Sequence, residues 1–238
     1  MKQAILDTLL AARRAKRPVA LVTNLESGRQ ALLDEGVVSG ELVLGGVVLS
    51  QVERALAEDK SGLLSGTSLF VQVFNPPLRL IVVGAVHIAQ ALVPLAALVG
   101  YETIVVDPRR AWATDARFPD IALMTDWPDE ALAALAPDRR TAVVTLTHDP
   151  KLDDPALTTA LNSDAFYIGA LGSTRTHAKR LARLRETGLG EAELTRIHGP
   201  AGLAIGARSP AEIAVSILAQ MTQALHGAPA LVKAEAAQ

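Results

Sequence analysis

From Leu80 onward, short runs of apolar residues alternate with stretches of helical length, and few folds accommodate that rhythm. Leu80–Val83, Thr103–Asp107, Thr141–Thr147 and Ala165–Ile168 read as strands. Between and after them, 89–99, 127–135, 155–161, 175–186 and 210–225 read as helices. Strands this short and this uniformly apolar are buried on both faces, which calls for helices on both sides of a parallel sheet. The expected fold is therefore α/β, a Rossmann-like doubly wound parallel sheet. Half of the residues are hydrophobic but only 3% are aromatic, so Ala, Val, Leu and Ile must fill that core.

Residues 1–77 read as a small N-terminal α/β segment. It has a first helix striped by Ile5, Leu6, Leu9 and Leu10, a strand over 18–23, a turn at Asn24, Ser27 and Gly28, a helix over 47–57 and a strand over 69–74. Asn75-Pro76-Pro77 breaks any regular element and marks the boundary. The second domain runs over 78–227, and the Ala-rich residues 228–238 read as a frayed tail. The last helix carries a capping box, Ser209 to Glu212, with Pro210 at its first position. Its apolar face comprises Ile213, Ile217, Leu218, Met221 and Leu225.

A formal net charge of −2 gives no general attraction to nucleic acid or anionic membrane. The absence of cysteine excludes disulfides, thiolate metal sites and a cysteine nucleophile within these 238 residues. The N-terminal stretch carries Asp7 and five cations and reads as an amphipathic helix, without the form of a signal peptide. The longest apolar run, near Ala91–Gly100, contains Pro94 and falls short of the ~20 residues a membrane span needs. The expectation is a soluble, cytoplasmic protein.

In such sheets ligands bind beyond the carboxyl ends of the strands, at the switch in strand order, and four loops compete for that place. Gly84-Ala-Val-His-Ile-Ala89 keeps the first glycine and last alanine of a dinucleotide fingerprint, but Val86 replaces the middle glycine that lets a pyrophosphate approach. Gly84, Ala85 and His87 are its candidate contacts, against a tight β–α turn with only a packing role. Asp107-Pro108-Arg109 follows; Asp107 stands 23 residues after Gly84, near the offset of about 20 expected of a ribose-binding acid. Arg109 pairs either with a phosphate or with Asp107 itself, and an Asp-Pro turn is the plain alternative.

The third loop, Thr147-His148-Asp149-Pro150, precedes Asp153 and Asp154. No second histidine sits at helical spacing, so His148 and Asp149 read as ligand-binding or proton-transfer candidates and no metal site is expected. The turn acids also suit the capping of a helix beginning at Pro155. The fourth loop, Gly169–Thr174, leads into a basic helix in which Arg175, Lys179 and Arg183 share one face. Gly169, Gly172, Ser173 and Arg175 are candidates for an anion at the helix start. The more distal cations, Arg180 and Arg185 included, read as a solvated face.

The strings VVGAVHIAQAL, VVDPR, RFPD, TLTHDPKLDDPAL, YIGALGSTRTHAKRLARL and RIHGPAGLAIGARSPAEIAVSILAQ, in this order over about 79–225, resemble the XdhC/CoxI family. The resemblance implies an accessory protein for molybdenum hydroxylases such as xanthine dehydrogenase and aerobic CO dehydrogenase. Such a protein binds molybdenum cofactor (molybdopterin) as cargo while its sulfurated form is made, and passes it to the apoenzyme. The implied partners are the molybdenum hydroxylase apoenzyme, a cysteine desulfurase and a second copy in a homodimer. By matching position, the implied pocket includes Gly84, His87, Asp107, Arg109, His148, Asp149, Gly169, Gly172 and Ser173. The stretch Ile205–Pro210 matches a further motif. The sequence departs from the family in Val86, in a short cysteine-free N-terminal region, and in Gln220, where an acid is common. An NAD(P)-dependent oxidoreductase and a non-catalytic scaffold between apoenzyme and desulfurase are the competing readings.

Overall fold

The structure, a computed structural model, describes residues 2–227; the expected frayed tail lies outside the described residues. The chain divides into two compact units, one ending at Pro76 and the other starting at Pro77.

In the first unit α1 (Gln3–Arg14) precedes β1 (Val19–Asn24), β2 (Gln30–Asp34) and β3 (Val37–Gly40); α2 (Gly46–Ala57), β4 (Gly62–Leu63) and β5 (Leu69–Phe74) follow. The five strands form one antiparallel sheet in the order β3-β2-β1-β5-β4. Alternation along β1 sends Val19 and Leu21 to the α1 side with Ile5 and Leu9, and Ala20 and Val22 to the α2 side with Val52. The sequence reading saw two of these strands. It missed β2 and β3, a hairpin closed by Glu35 and Gly36, both at positive φ, the geometry that joins twisted strands through two residues.

The second unit contains β6 (Leu78–Val83), α3 (His87–Leu98), β7 (Tyr101–Val106), β8 (Ala122–Met124), α4 (Pro128–Leu135) and β9 (Thr141–Thr145). It continues through α5 (Pro150–Leu161), β10 (Tyr167–Ala170), α6 (Thr174–Glu186), the short α7 (Glu191–Leu194), β11 (Ile197–His198) and α8 (Pro210–Leu225). Its six strands are all parallel, in the order β11-β10-β9-β6-β7-β8. The doubly wound sheet expected from the sequence is present. Leu80 and Val82 of β6 face a core shared with α3 and α8 through Leu92, Ile217 and Met221. Ile81 and Val83 face the other, shared with α4, α5 and α6 through Leu132, Leu157 and Leu184. Both faces of the central strands are thus apolar, because neither ever meets water.

The chain starts at the central β6, moves outward through β7 to β8, then returns to the other side of β6 for β9, β10 and β11. The switch point lies between β6 and β9, where the helices that follow these two strands depart on opposite faces of the sheet. Among the described residues no helix is long and apolar enough to cross a membrane.

Candidate functional site

At the carboxyl end of β6 the chain turns through Gly84, whose φ is +115°. A Cβ there would stand 2.7 Å from Thr147 Cγ2, so glycine is what allows the two loops of the switch point to touch. The next residue is clamped from two sides. The Ala85 amide donates to Asp107 Oδ2 at 2.8 Å, and the Ala85 carbonyl accepts from Arg117 Nη1 at 2.7 Å. Arg117 belongs to the Arg-Phe-Pro-Asp stretch before β8; its Nη2 also donates to Gln90 Oε1. With both polar groups of Ala85 engaged inside the protein, this turn offers less free backbone to a phosphate than its glycine suggests. Val86 caps α3 from an extended conformation, partly buried against the core, and His87 is the exposed first residue of that helix.

Asp107 is fully buried, and its carboxylate is saturated. Oδ1 accepts from the Arg109 amide at 3.0 Å and Nε at 2.9 Å; Oδ2 accepts from Arg109 Nη2 at 2.7 Å besides the Ala85 amide. Burial works to raise this carboxyl, but the bonds from Arg109 and the two amides outweigh it and hold it below the ordinary aspartate value. Asp107 thus holds the loop together, its carboxylate engaged by donors of the protein itself. Arg109 takes the second of the two roles open to it, pairing with Asp107. Its charge is held chiefly by that bond, with the Asp149 and Asp153 carboxylates adding to it.

The turn after β9 is organised by a residue that the sequence reading assigned to capping. The helix starts at Pro150, not Pro155, because Asp149 caps it through a bond from the Lys151 amide and Pro150 takes the first helical position. Pro155 lies inside α5. Asp153 therefore falls in the first turn of the helix, 1% exposed, pointing back under the loop. It accepts from Thr147 Oγ1 at 2.7 Å and from the His148 amide at 3.1 Å. That grip holds His148 at φ +62°, a left-handed conformation unusual for a residue with a side chain. Burial pushes the Asp153 carboxyl above its ordinary value, against the Thr147 bond and the charge of Arg180.

Gly169 lies within β10 rather than in a loop; a Cβ there would meet the Tyr167 ring at 2.7 Å. Gly172 follows at φ +148°, and Ser173 caps α6 by accepting from the Thr176 amide at 3.1 Å. The basic helix then departs from expectation. Arg180 is not on a solvated face: it is 2% exposed, donating from Nη2 to the Leu171 carbonyl at 2.8 Å, with Asp153 Oδ2 at 3.8 Å. Its Nε and Nη1 have no hydrogen-bond partner among the described residues. Arg183 pairs with Asp154 of α5 through Nε at 2.5 Å and Nη2 at 2.9 Å, and Arg185 pairs with Glu191. The acids these cations need come from neighbouring elements, which is why the helix's own sequence looked unpaired. Arg175 and Lys179 make no ion pair among the described residues.

Between α5 and α6 these groups form a partly open cavity of about 250 Å³, lined by His148, Asp153, Arg175, Lys179, Arg180 and Arg183 among others. Of the eleven candidates His148 and Arg175 line it. Gly84, Ala85, Asp107 and Arg109 form a linked network at the neighbouring strand ends, and Asp149, Gly172 and Ser173 shape the helix starts. His87 and Gly169 do not line it. Sequence reasoning missed Arg117, Asp153 and Arg180. The signal for Arg180 was its place one turn before Leu184, on the buried side of α6. Among the described residues no cluster of three or more histidine or carboxylate side chains is arranged for a metal ion.

Residues 80–221 match the XdhC Rossmann domain. The chain is 36% identical over 148 residues to the molybdenum cofactor insertion chaperone PaoD of Escherichia coli, covering 62% of this chain and 40% of that protein. It is 35% identical over 158 residues to a Bacillus subtilis protein named as a probable xanthine dehydrogenase component, covering 66% of this chain and 46% of that one. It is also 32% identical over 175 residues to the uncharacterized YqeB of Escherichia coli, covering 74% and 32%. This chain therefore spans about a third to a half of the length of the curated relatives it matches. A crystal structure of a Bacillus halodurans protein named as a xanthine dehydrogenase superposes with a TM-score of 0.71 at 27% identity, over 95% of this chain and 65% of that one. The domain match takes in more than half of the 238 residues, and the chain belongs to the XdhC family.

Proposed function

We propose that this protein binds molybdenum cofactor at the carboxyl edge of its parallel sheet and assists insertion of the cofactor into a molybdenum hydroxylase of the xanthine dehydrogenase type. The observation that carries the reading is the cationic cavity beside the β6–β9 switch point, in a chain whose relatives include one named as a molybdenum cofactor insertion chaperone. Molybdopterin is a flat ring system with a terminal phosphate. A crevice at a switch point suits the ring, and cations and helix starts suit the anion. The polar groups at this edge are engaged with one another: Asp107 with Arg109, Asp149 with the α5 amide, Ser173 with the α6 amide. That arrangement supports a handler of the cofactor better than a catalyst acting on it, since none of these groups forms an activated nucleophile–base pair.

The apoenzyme is the recipient in this reading, and a cysteine desulfurase supplies sulfur where the sulfurated cofactor is made. These 238 residues contain no cysteine, so none of them carries that sulfur as a thiol or persulfide. The test is to mix the purified chain with molybdenum cofactor released from a donor enzyme, remove free cofactor by gel filtration, and measure molybdenum and pterin fluorescence per chain. Near-stoichiometric retention is the expected result. Loss of all cofactor, with retention of NAD(P)H in a parallel sample, would replace this reading with the oxidoreductase one. Arg109→Ala and Ser173→Ala are poor probes of the pocket, because those side chains hold Asp107 and cap α6.

A further inference from the structure

Resting on the cofactor-carrier reading, we propose that the α5–α6 cavity is the phosphate subsite, with Arg180 as its central donor and a phosphomonoester as its ligand. A guanidinium is charged at any physiological pH and carries five N–H bonds, so burying one demands acceptors. Arg180 is 2% exposed and lines the cavity, yet among the described residues only Nη2 finds an acceptor, the Leu171 carbonyl; Nε and Nη1 have none. The nearest carboxylate, Asp153, stands 3.8 Å from Nη2 and is already taken by Thr147 and the His148 amide. An anion in the cavity that Arg180 lines would give this under-satisfied guanidinium the counter-charge and acceptor it lacks, with a small turn of the side chain to bring its N–H groups to bear.

The charge around the cavity points the same way. Arg175, Lys179, Arg180 and Arg183 are set against Asp153 and Asp154, an excess of cations over carboxylates, and Arg175 and Lys179 are left without ion pairs among the described residues. Arg183 is spent on Asp154 and acts as a wall. Lys179 is exposed at the mouth, one turn before Arg183, where a flexible ammonium can close over a bound oxyanion.

Size separates a phosphate end from the whole cofactor. The cavity, about 250 Å³, lies below the ~300–1,000 Å³ of pockets that enclose a complete small molecule. It takes one end of the cargo, and the ring lies outside it toward the switch point. The Gly84 turn, the other place where a phosphate is expected in this fold, has the Ala85 amide committed to Asp107.

The probe is inorganic phosphate, titrated calorimetrically into the full chain at low ionic strength, with the same titration on Arg180→Met and on the surface double variant Arg175→Gln/Lys179→Gln. Phosphate is expected to bind the parent chain and raise its melting temperature. Arg180→Met should weaken binding at least tenfold, and the double variant, which leaves the core untouched, about three- to tenfold. Absence of phosphate binding by the parent, or equal binding by a folded Arg180→Met, overturns the subsite. So does equal binding by the double variant if Arg180→Met does not fold. The two readings fail separately. Cofactor retention that phosphate does not compete and that survives Arg180→Met removes the subsite and leaves the carrier. Phosphate binding that depends on Arg180 in a chain that retains no cofactor removes the carrier and leaves an anion site of another ligand.

Discussion

Asp107 carries a full negative charge in a place with no exposure to water, and it does so because four N–H donors converge on its two oxygens. A single atom change tests that statement. In Asp107→Asn one of the acceptors becomes an NH₂ group facing a donor, and Arg109 loses its counter-charge. The expected cost is about 2–4 kcal/mol, since a partner is removed from a buried charged pair, and urea denaturation followed by tryptophan fluorescence measures it. The pH dependence has a definite sign. Because the folded carboxyl lies below its ordinary value, its stabilisation is complete above the unfolded value of ~3.9 and is lost as pH falls through the folded one. Asp107→Asn should therefore flatten the acid limb of the stability curve. An Asn variant as stable as the parent would mean that Ala85 and Arg109 are positioned by something else.

At the scale of elements, β10 and α8 are joined through one amide. Gln220 Oε1 accepts from the Tyr167 hydroxyl and from the Gly202 amide, each at 2.7 Å. Burial pushes the Tyr167 phenol well above its ordinary value, so it remains an O–H donor. A carboxylate would accept the same two bonds, which explains how an acid and a glutamine can serve in one position. Gln220→Glu is expected to keep near-parental stability. Gln220→Leu leaves two buried donors without an acceptor and should cost about 2–4 kcal/mol; thermal melts of the two variants side by side decide it. The elements most legible in the sequence were those, like α8, that carry their own punctuation. Its Ser209–Glu212 capping box closes as expected, the Glu212 carboxylate accepting from the Ser209 amide at 2.8 Å. What misled was punctuation with two readings. Pro150 and Pro155 both fit a helix start, and choosing the second hid Asp153 inside what looked like a polar loop. Arg180 was hidden for a different reason. Leu184 one turn later was its only local signal, set among the helix's other cations, and the groups that meet Arg180, Leu171 and Asp153, lie outside the helix's own pattern.

Considered as a whole, the molecule divides its histidines and tryptophans unevenly between its two units. All five histidines and both tryptophans fall after Pro77. The parallel strands and most helices of that unit followed from apolar spacing, while their order in the sheet came only from the structure; the antiparallel sheet before Pro76 was half hidden, because β3 is exposed along its length and carries no alternation to read. The histidine distribution sets how the chain meets mild acid. His198 stacks on the Tyr167 ring at 4.7 Å between centroids, and burial lowers its pKa. His177 has a buried Nδ1 without a partner among the described residues and is lowered by burial and then by Arg180. A histidine held neutral by the fold stabilises fully above its unfolded value of ~6.5, and that stabilisation is lost as pH falls toward the folded value. Lowering pH from about 7.5 to about 5.5 should therefore depress the melting of the unit after Pro77, which tryptophan fluorescence reports alone. Residues 1–76 contain no histidine, so the part of the far-ultraviolet signal that comes from the first unit should hold its midpoint across that range. His198→Phe keeps an aromatic ring against Tyr167 and removes one titrating group, so it should make the tryptophan-detected midpoint less sensitive to acid. A parental pH slope in His198→Phe combined with His177→Gln would assign the sensitivity to other groups and end this account of it.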